Sequence, residues 1–311
     1  MLIASYLLAG LAVILAWPAP VLLSRMAWTS RSPFTALFLW QAIALAGGLS
    51  MIGAMLVWGL EPLGANLIAA LAGLWQVLTA GPSAPSLEPV HVFSLSTALL
   101  LGSHLVFTLL LSTYRVARQR QRHRRLLALL SDPSPTTPGT VVLAHGAPVA
   151  YCLPGFNGSL TVLSRGLLDA LDDEGLRGVI AHERAHLDQR HDLLVLAFES
   201  WHNALPWLPT SRLARDAVQE LIEMLADDTA LRHVSADTLL RSLVAVASGT
   251  KVSPGSESGL PSEELSSMRL KRLLSPSVGP LPLAGRAAVL GSSALLIVLP
   301  TTLLVAPWLL A

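Results

Sequence analysis

Apolar residues in this chain gather into long uninterrupted runs, at about residues 2–23, 34–60, 92–114 and 287–311. A helix needs about 20 such residues to cross the hydrocarbon core of a bilayer, and each run supplies them. The pattern therefore predicts four transmembrane helices. A further apolar stretch, residues 63–78, reads as an interfacial or re-entrant helix, because a crossing there would move the basic segment that follows to the opposite face.

Between the third and fourth runs the polar residues return, with shorter periods. Helical spacing appears at Arg118–Leu130, followed by a Pro/Ser/Thr linker at Ser131–Gly139. Two short strands, Thr140–Ala144 and Pro148–Leu153, are predicted around the turn His145-Gly146-Ala147. A third, Leu160–Ser164, follows the turn Gly155–Gly158. This third strand is expected at a sheet edge, where it could hold an extended peptide by backbone pairing. Helices are then predicted at Arg165–Leu171, from Asp172 to Gln189, at Asp192–Ala204, at Ser211–Arg232 beyond the break Pro206-Trp207-Leu208-Pro209, and at Ala236–Ala247. A Gly/Ser/Pro-rich stretch, Gly249–Gly259, precedes a last short helix that Ser262 can cap and that runs to Leu274. The fold class is membrane α-helical with an α+β domain inserted between helices three and four. Residues 1–114 form the membrane part, 115–286 the inserted domain and 287–311 the last helix.

Composition agrees: 52% hydrophobic and 13% charged residues is the balance of a membrane protein. The first run reads as a retained helix, since no basic residue precedes Arg25 and the run exceeds a signal-peptide core. Lys and Arg are absent between Arg31 and Arg115, whereas Arg25 and Arg31 follow the first run, and Arg115, Arg118, Arg120, Arg122, Arg124 and Arg125 follow the third. Arg269, Lys271, Arg272 and Arg286 precede the fourth. The positive-inside rule then places the inserted domain in the cytoplasm, with both termini outside, in a multi-pass protein of the cell membrane. The arginine cluster reads as a topology anchor for anionic lipid rather than a nucleic-acid site. Cys152 is the only cysteine, which excludes an intrachain disulfide and a multi-thiolate metal site.

The chemistry centres on His182-Glu183-Arg184-Ala185-His186. Histidines four apart lie about 40° from each other around a helix, so both can bind one zinc ion, with Glu183 beside them as a base for water. Asp172-Asp173-Glu174 can cap and charge the start of that helix, although Gly175 and Gly178 weaken its first turn. A catalytic zinc site takes three protein ligands, and the helix from about Ser211 to Arg232 offers Glu220, Glu223, Asp227 and Asp228, with Glu223 the first choice. His191 lies about 180° from His182 on an unbroken helix and reads as a surface or capping residue. His104, inside the third run, reads as a neutral imidazole bonded to another helix, or as a functional group. Ala46, Ser50 and Ala54 recur every four residues in the second run and would let it pack closely in a bundle or a homo-oligomer.

These motifs resemble the cytoplasmic zinc domain of the BlaR/MecR membrane peptidases: Leu160-Thr161-Val162-Leu163-Ser164, Gly166-Leu167-Leu168, His182-Glu183-Arg184-Ala185-His186 with Arg190-His191 after it, and Glu223-Met224-Leu225-Ala226-Asp227. A more distant likeness is to the HtpX and CAAX-type membrane proteases. The resemblance implies a gluzincin-like domain in which His182, His186 and Glu223 bind Zn2+, Glu183 is the general base, and Asp227 orients a ligand imidazole. It also implies a zinc-dependent endopeptidase that cleaves a protein substrate, a transcriptional repressor of the BlaI type, without contacting nucleic acid itself. The penicillin-sensor domain that the beta-lactam receptors carry after their last span has no counterpart before Ala311. Two alternatives are a quality-control protease of the HtpX kind and a zinc-containing scaffold without turnover.

Overall fold

In a computed structural model, residues 1–79, 87–133, 139–155, 159–249, 267–274 and 279–305 are described. Most of the Ser131–Gly139 linker and of the Gly155–Gly158 turn, nearly all of Gly249–Gly259, the Ser262 cap and the fourth run beyond Val305 lie outside those residues. Among the described residues, four helical segments are long and apolar enough to cross a membrane: Leu2–Ser24, Pro33–Leu63, Pro89–Leu130 and Leu283–Val305. The chain forms two compact units. One comprises Met1–Leu110, Phe198–Ala217 and Leu281–Ala311, and the other Leu111–Ala197 and Val218–Pro280. Residues 198–217, which lie in sequence within the inserted domain, thus group with the membrane helices.

In the first unit, α1 (Leu2–Ala16) and α2 (Pro18–Ser24) make one apolar segment broken at Trp17. A single turn, α3 (Trp28–Arg31), leads to α4 (Pro33–Leu60), which packs against α1 and against the last helix, α13 (Leu283–Val305). Ala4, Leu8, Val57 and Leu303 form one buried cluster there, with Ala54 against it, while Ala46 and Ser50 are fully buried. The small residues spaced along the second run are thus used for packing inside this unit. Helix α5 (Leu67–Thr79) has 13 residues, about 20 Å at 1.5 Å per residue and too short to span. Ile68, Leu71, Trp75 and Leu78 along it are exposed. Helix α6 (Pro89–Leu130) is continuous over 42 residues, where the sequence gives two elements, the run ending at residue 114 and the helical spacing at Arg118–Leu130; no Gly or Pro interrupts Arg115–Leu130, and the two fuse.

The end of α9 (His191–Ala204) and the start of α10 (Pro209–Ala230) belong to this unit too. Pro20 has no N–H to give the carbonyl of Ala16 four residues earlier, and Thr210 Oγ1 donates to that carbonyl instead, with Leu15 O 3.2 Å away. His104 Nε2 lies 3.1 Å from the carbonyl of Ala204, the last residue of α9, which gives the histidine of the third run a helix-end partner. His202 Nδ1 lies 3.2 Å from Ser211 Oγ across the proline break.

The second unit is built on a four-stranded sheet of β1 (Ser131–Pro133), β2 (Thr140–Leu143), β3 (Ala150–Leu153) and β4 (Leu160–Ser164), in the order β1-β2-β4-β3. β2 and β4 are parallel, and the outer strands are antiparallel to their neighbours. β1 arises from residues that the sequence assigns to a linker. β4 carries the buried Val162 and Leu163 and lies in the interior, so it is not the edge the sequence predicts; β3 is the outer strand, and it packs on α8 (Asp173–Asp188). In the chain, α7 (Arg165–Ala170) follows β4 directly, and its cap Ser164 accepts the N–H of Leu167 at 3.1 Å. Helix α11 (Ala236–Gly249) packs on α8 and on α12 (Ser267–Leu274). Arg120 pairs with Asp192 at 2.9 Å and Arg124 donates to Leu153 O at 3.2 Å. Two arginines of the expected lipid anchor thus make contacts within the protein.

Candidate metal centre

Helix α8 begins where its side chains can solvate its first turn. Asp172 accepts the N–H of Gly175 at 2.8 Å, and Asp173 and Glu174 complement the positive helix end. The two poor helix formers of that turn have a packing reason. A Cβ on Gly175 would lie 2.7 Å from Ser242 Oγ of α11, and one on Gly178 would lie 3.0 Å from Val234. Close approach of α11 thus holds the segment in helical form and presents His182 and His186 on one face.

Helix α10 faces them. Its buried stripe of Val218, Leu221, Ile222, Met224 and Ala226 turns Glu223 and Asp227, four residues apart, towards α8. His182 Nε2 and His186 Nε2 are 3.3 Å apart, His182 Nε2 lies 3.4 Å from Glu223 Oε2, and His186 Nε2 lies 3.5 Å from Glu223 Oε1. The donor atoms of these three residues all fall within 4.8 Å of one another. A tetrahedron with metal–ligand bonds of about 2.0–2.1 Å has edges of roughly 3.3–3.4 Å, so the observed spacing fits an N2O set for zinc. The 3.3 Å between the two Nε2 atoms is also the spacing at which both, once deprotonated there, could share one cation.

Asp227 sits behind this set. Its Oδ1 is 3.1 Å from His182 Nδ1, at ion-pair distance but not aligned for a hydrogen bond, and the residue is 1% exposed. Arg269 of α12 forks onto it and also reaches Glu223 Oε2 at 3.0 Å. Asp228, the adjacent acid, pairs with Arg272 at 2.7 Å and is absent from the donor cluster.

The titration of these groups follows from their surroundings. Burial disfavours the His182 imidazolium, but the flanking Asp227 and Glu223 carboxylates outweigh it and carry the pKa up to about 10. Burial alone would raise Glu223, yet His182, His186 and Arg269 hold it at about 2. Asp227 is likewise lowered against its burial, by His182 and Arg269. Burial takes His186 and His191 down to about 4, so both rings are neutral at pH 7. Glu183 differs from the other acids: burial lifts it to about 7, against the pull of His182 and of the Cys152 backbone N–H that it accepts. A carboxylate poised near neutrality beside a cation site is suited to proton transfer.

Residues 116–219 match the model of Peptidase family M48. The matched segment covers about a third of the chain and includes His182, Glu183 and His186, while Glu223 lies four residues beyond its end. The M48 match supports a zinc metallopeptidase of membrane type. No curated protein matches the chain.

Two site residues escape the sequence reading. Arg269 is read there only as a charge that sets topology; the signal available was Arg269 and Arg272, three apart on one helical face, against the adjacent acids Asp227 and Asp228. His191 is read as a surface or capping residue on an unbroken helix. In the structure α8 stops at Asp188 and Arg190 takes φ 52°, so the chain turns and His191 folds back under His186, 2% exposed.

Proposed function

We propose that this chain is an integral-membrane zinc endopeptidase of the BlaR/MecR type, with its active site on the cytoplasmic side, and that it inactivates a transcriptional repressor of the BlaI type. The convergence of His182, His186 and Glu223 at tetrahedral spacing, with the raised carboxyl of Glu183 beside them, carries this reading. The M48 match supports the peptidase chemistry. The resemblance in motifs supports the repressor as substrate, and the basic segments after the first and third spans support the cytoplasmic face. The bilayer is the second partner, and a homo-oligomer would form through surfaces other than the small-residue stripe of the second span, which packs inside its own unit.

His182, His186 and Glu223 would hold the zinc ion. When bound there, zinc supplies Lewis acidity, which makes water more acidic and a peptide carbonyl more electrophilic. Glu183 takes the proton of the attacking water and delivers it to the leaving amine. Asp227 holds His182 with its Nε2 turned to the donor cluster, and Arg269 holds Asp227 and Glu223 in place. β3, the outer strand that packs on α8, offers a sheet edge along which an extended peptide can pair. A scaffold without turnover has no need of a buried base next to its first histidine, and the intact Glu183 therefore favours an enzyme.

The purified full chain in lipid nanodiscs, tested with zinc and with chelator on a BlaI-type repressor from the same genome and on casein, examines this reading. Chelator-sensitive cleavage of the repressor alone, lost in Glu183→Gln with zinc retained, is the expected result. Cleavage of casein as well would favour quality control, and cleavage of neither would favour the scaffold.

A further inference from the structure

The ring nitrogen of His186 that faces away from the donor cluster has a partner that the proposed zinc chemistry does not account for. Its Nδ1 lies 3.0 Å from Nδ1 of His191, and His191 Nε2 lies 3.1 Å from Gln189 Oε1. The other end of the Gln189 amide is also fixed, since its Nε2 donates to Thr229 Oγ1 at 3.0 Å. Thr229 stands on α10 six residues after Glu223, and its hydroxyl donates to the carbonyl of Leu225 at 3.0 Å.

These contacts have only one consistent direction. The single proton of Thr229 goes to Leu225 O, so the hydroxyl must accept from Gln189, and Arg232 Nη2, a donor 3.0 Å away, reinforces this. With its NH2 turned to Thr229, Gln189 presents its carbonyl to His191, which must then carry its proton on Nε2. A neutral imidazole protonated at Nε2 has a bare lone pair on Nδ1. That lone pair meets His186 Nδ1, which must hold a proton, because two bare nitrogens at 3.0 Å would repel. His186 is left with its lone pair on Nε2, the atom that faces His182 and Glu223.

We infer that His191 is a positioning residue, the acceptor in a chain Thr229–Gln189–His191 that locks His186 in the tautomer and orientation a metal ligand needs. The inference rests on the zinc reading above and deepens it. His182 is oriented by a carboxylate on α10, whereas His186 is oriented by a neutral imidazole whose own tautomer is set from the same helix; the two ligand-bearing helices are joined behind the site by this chain. Arg190 shows that the turn matters. A residue other than Gly at φ 52° is uncommon and disfavoured, and this one stands between Gln189 and His191, where the turn brings both into the chain. His191 itself is no ligand, since it approaches the edge of His186 opposite the donor cluster.

Zinc affinity, measured by competition with a fluorescent chelator on the full chain in detergent, tests the inference without relying on turnover. His191→Leu removes the acceptor and should weaken zinc binding by about 10–100-fold. His191→Asn can place its amide oxygen near the position of Nδ1 and should restore binding to within about threefold of the wild type. Gln189→Leu, at an exposed position, should give an intermediate loss with the melting temperature of the metal-free protein unchanged. Equal affinity of His191→Leu and wild type would overturn the inference, and so would an Asn variant as weak as the Leu variant, which would mean that ring packing alone matters. If the wild type bound no zinc at all, the zinc reading itself would fail, a result distinct from either of these.

Discussion

Arg269 grips Asp227 with two parallel hydrogen bonds, Nε and Nη2 each 2.9 Å from a carboxylate oxygen, and that aspartate is the residue standing behind Nδ1 of His182. The side chains are only 11% and 2% exposed, so the pair is shielded from solvent, and Nη1 of the same guanidinium reaches Glu223 at 3.0 Å. One cation therefore steadies the proposed third ligand together with the group proposed to orient the first.

Removing that cation should be costly. Arg269→Met would leave the buried Asp227 and the half-buried Glu223 with only His182 as counter-charge, and breaking a buried pair in this way typically costs about 3–5 kcal/mol. We expect a clear fall in melting temperature and substoichiometric zinc. Arg269→Lys should recover only part of both, because an ammonium cannot make the two-pronged contact. Elemental analysis and thermal unfolding of the two variants would check this; a Lys variant equal to wild type would mean that charge alone suffices.

The acids of α10 should separate cleanly. Glu223→Ala should strip the protein of zinc, whereas Asp228→Asn should leave zinc content unchanged, since Asp228 is engaged by Arg272 and lies outside the donor cluster. Full zinc occupancy in Glu223→Ala would point to another acid of the helix as the ligand.

Zinc uptake should release a proton. With His182 raised to about 10 by Asp227 and Glu223 against its burial, and His186 lowered to about 4, the metal-free site at pH 7 holds one imidazolium that must lose its proton to become a ligand. In the metal-free chain the raised His182 contributes stability that is full below its ordinary value near 6.5 and disappears as pH rises through about 10. For the metal the sign is opposite: affinity should fall by about tenfold for each unit the pH drops below neutrality. Calorimetric titration of zinc in two buffers of different ionisation enthalpy should report about one proton released per ion at pH 7. Zero protons would contradict a charged His182.

The membrane-helix unit has its own test. Thr210→Val removes the hydroxyl that serves the half-buried Ala16 carbonyl freed by Pro20, and leaving that carbonyl unpaired should cost about 1 kcal/mol, the low end for a desolvated acceptor. We expect a lower unfolding midpoint in detergent, recovered by Thr210→Ser; unchanged stability in the Val variant would show that water or lipid headgroups reach this carbonyl.

Much of the protein was legible in the amino-acid order because the controlling interactions are local or set by the solvent. The four apolar runs follow from what a bilayer demands of a helix. His182, Glu183 and His186 are placed by helical periodicity alone, and the Asp172 cap by its distance of one residue from the first turn. Glu223 and Asp227 were legible as a pair for the same reason, four residues apart on one face. What the tertiary structure decided lies where distant segments meet or a period breaks. No local rule orders four strands as β1-β2-β4-β3, so the position of β4 in the interior depends on a parallel pairing with β2 across a stretch containing β3. His191 was misplaced because helical geometry extrapolates through Arg190, whose positive φ only packing can impose. Arg269, 42 residues from Asp227, becomes part of the site only because α12 folds back onto α10. Residues 198–217 join the membrane helices because Thr210 and Ala204 find partners in Ala16 and His104, contacts between residues a hundred or more positions apart that no pattern along the chain encodes.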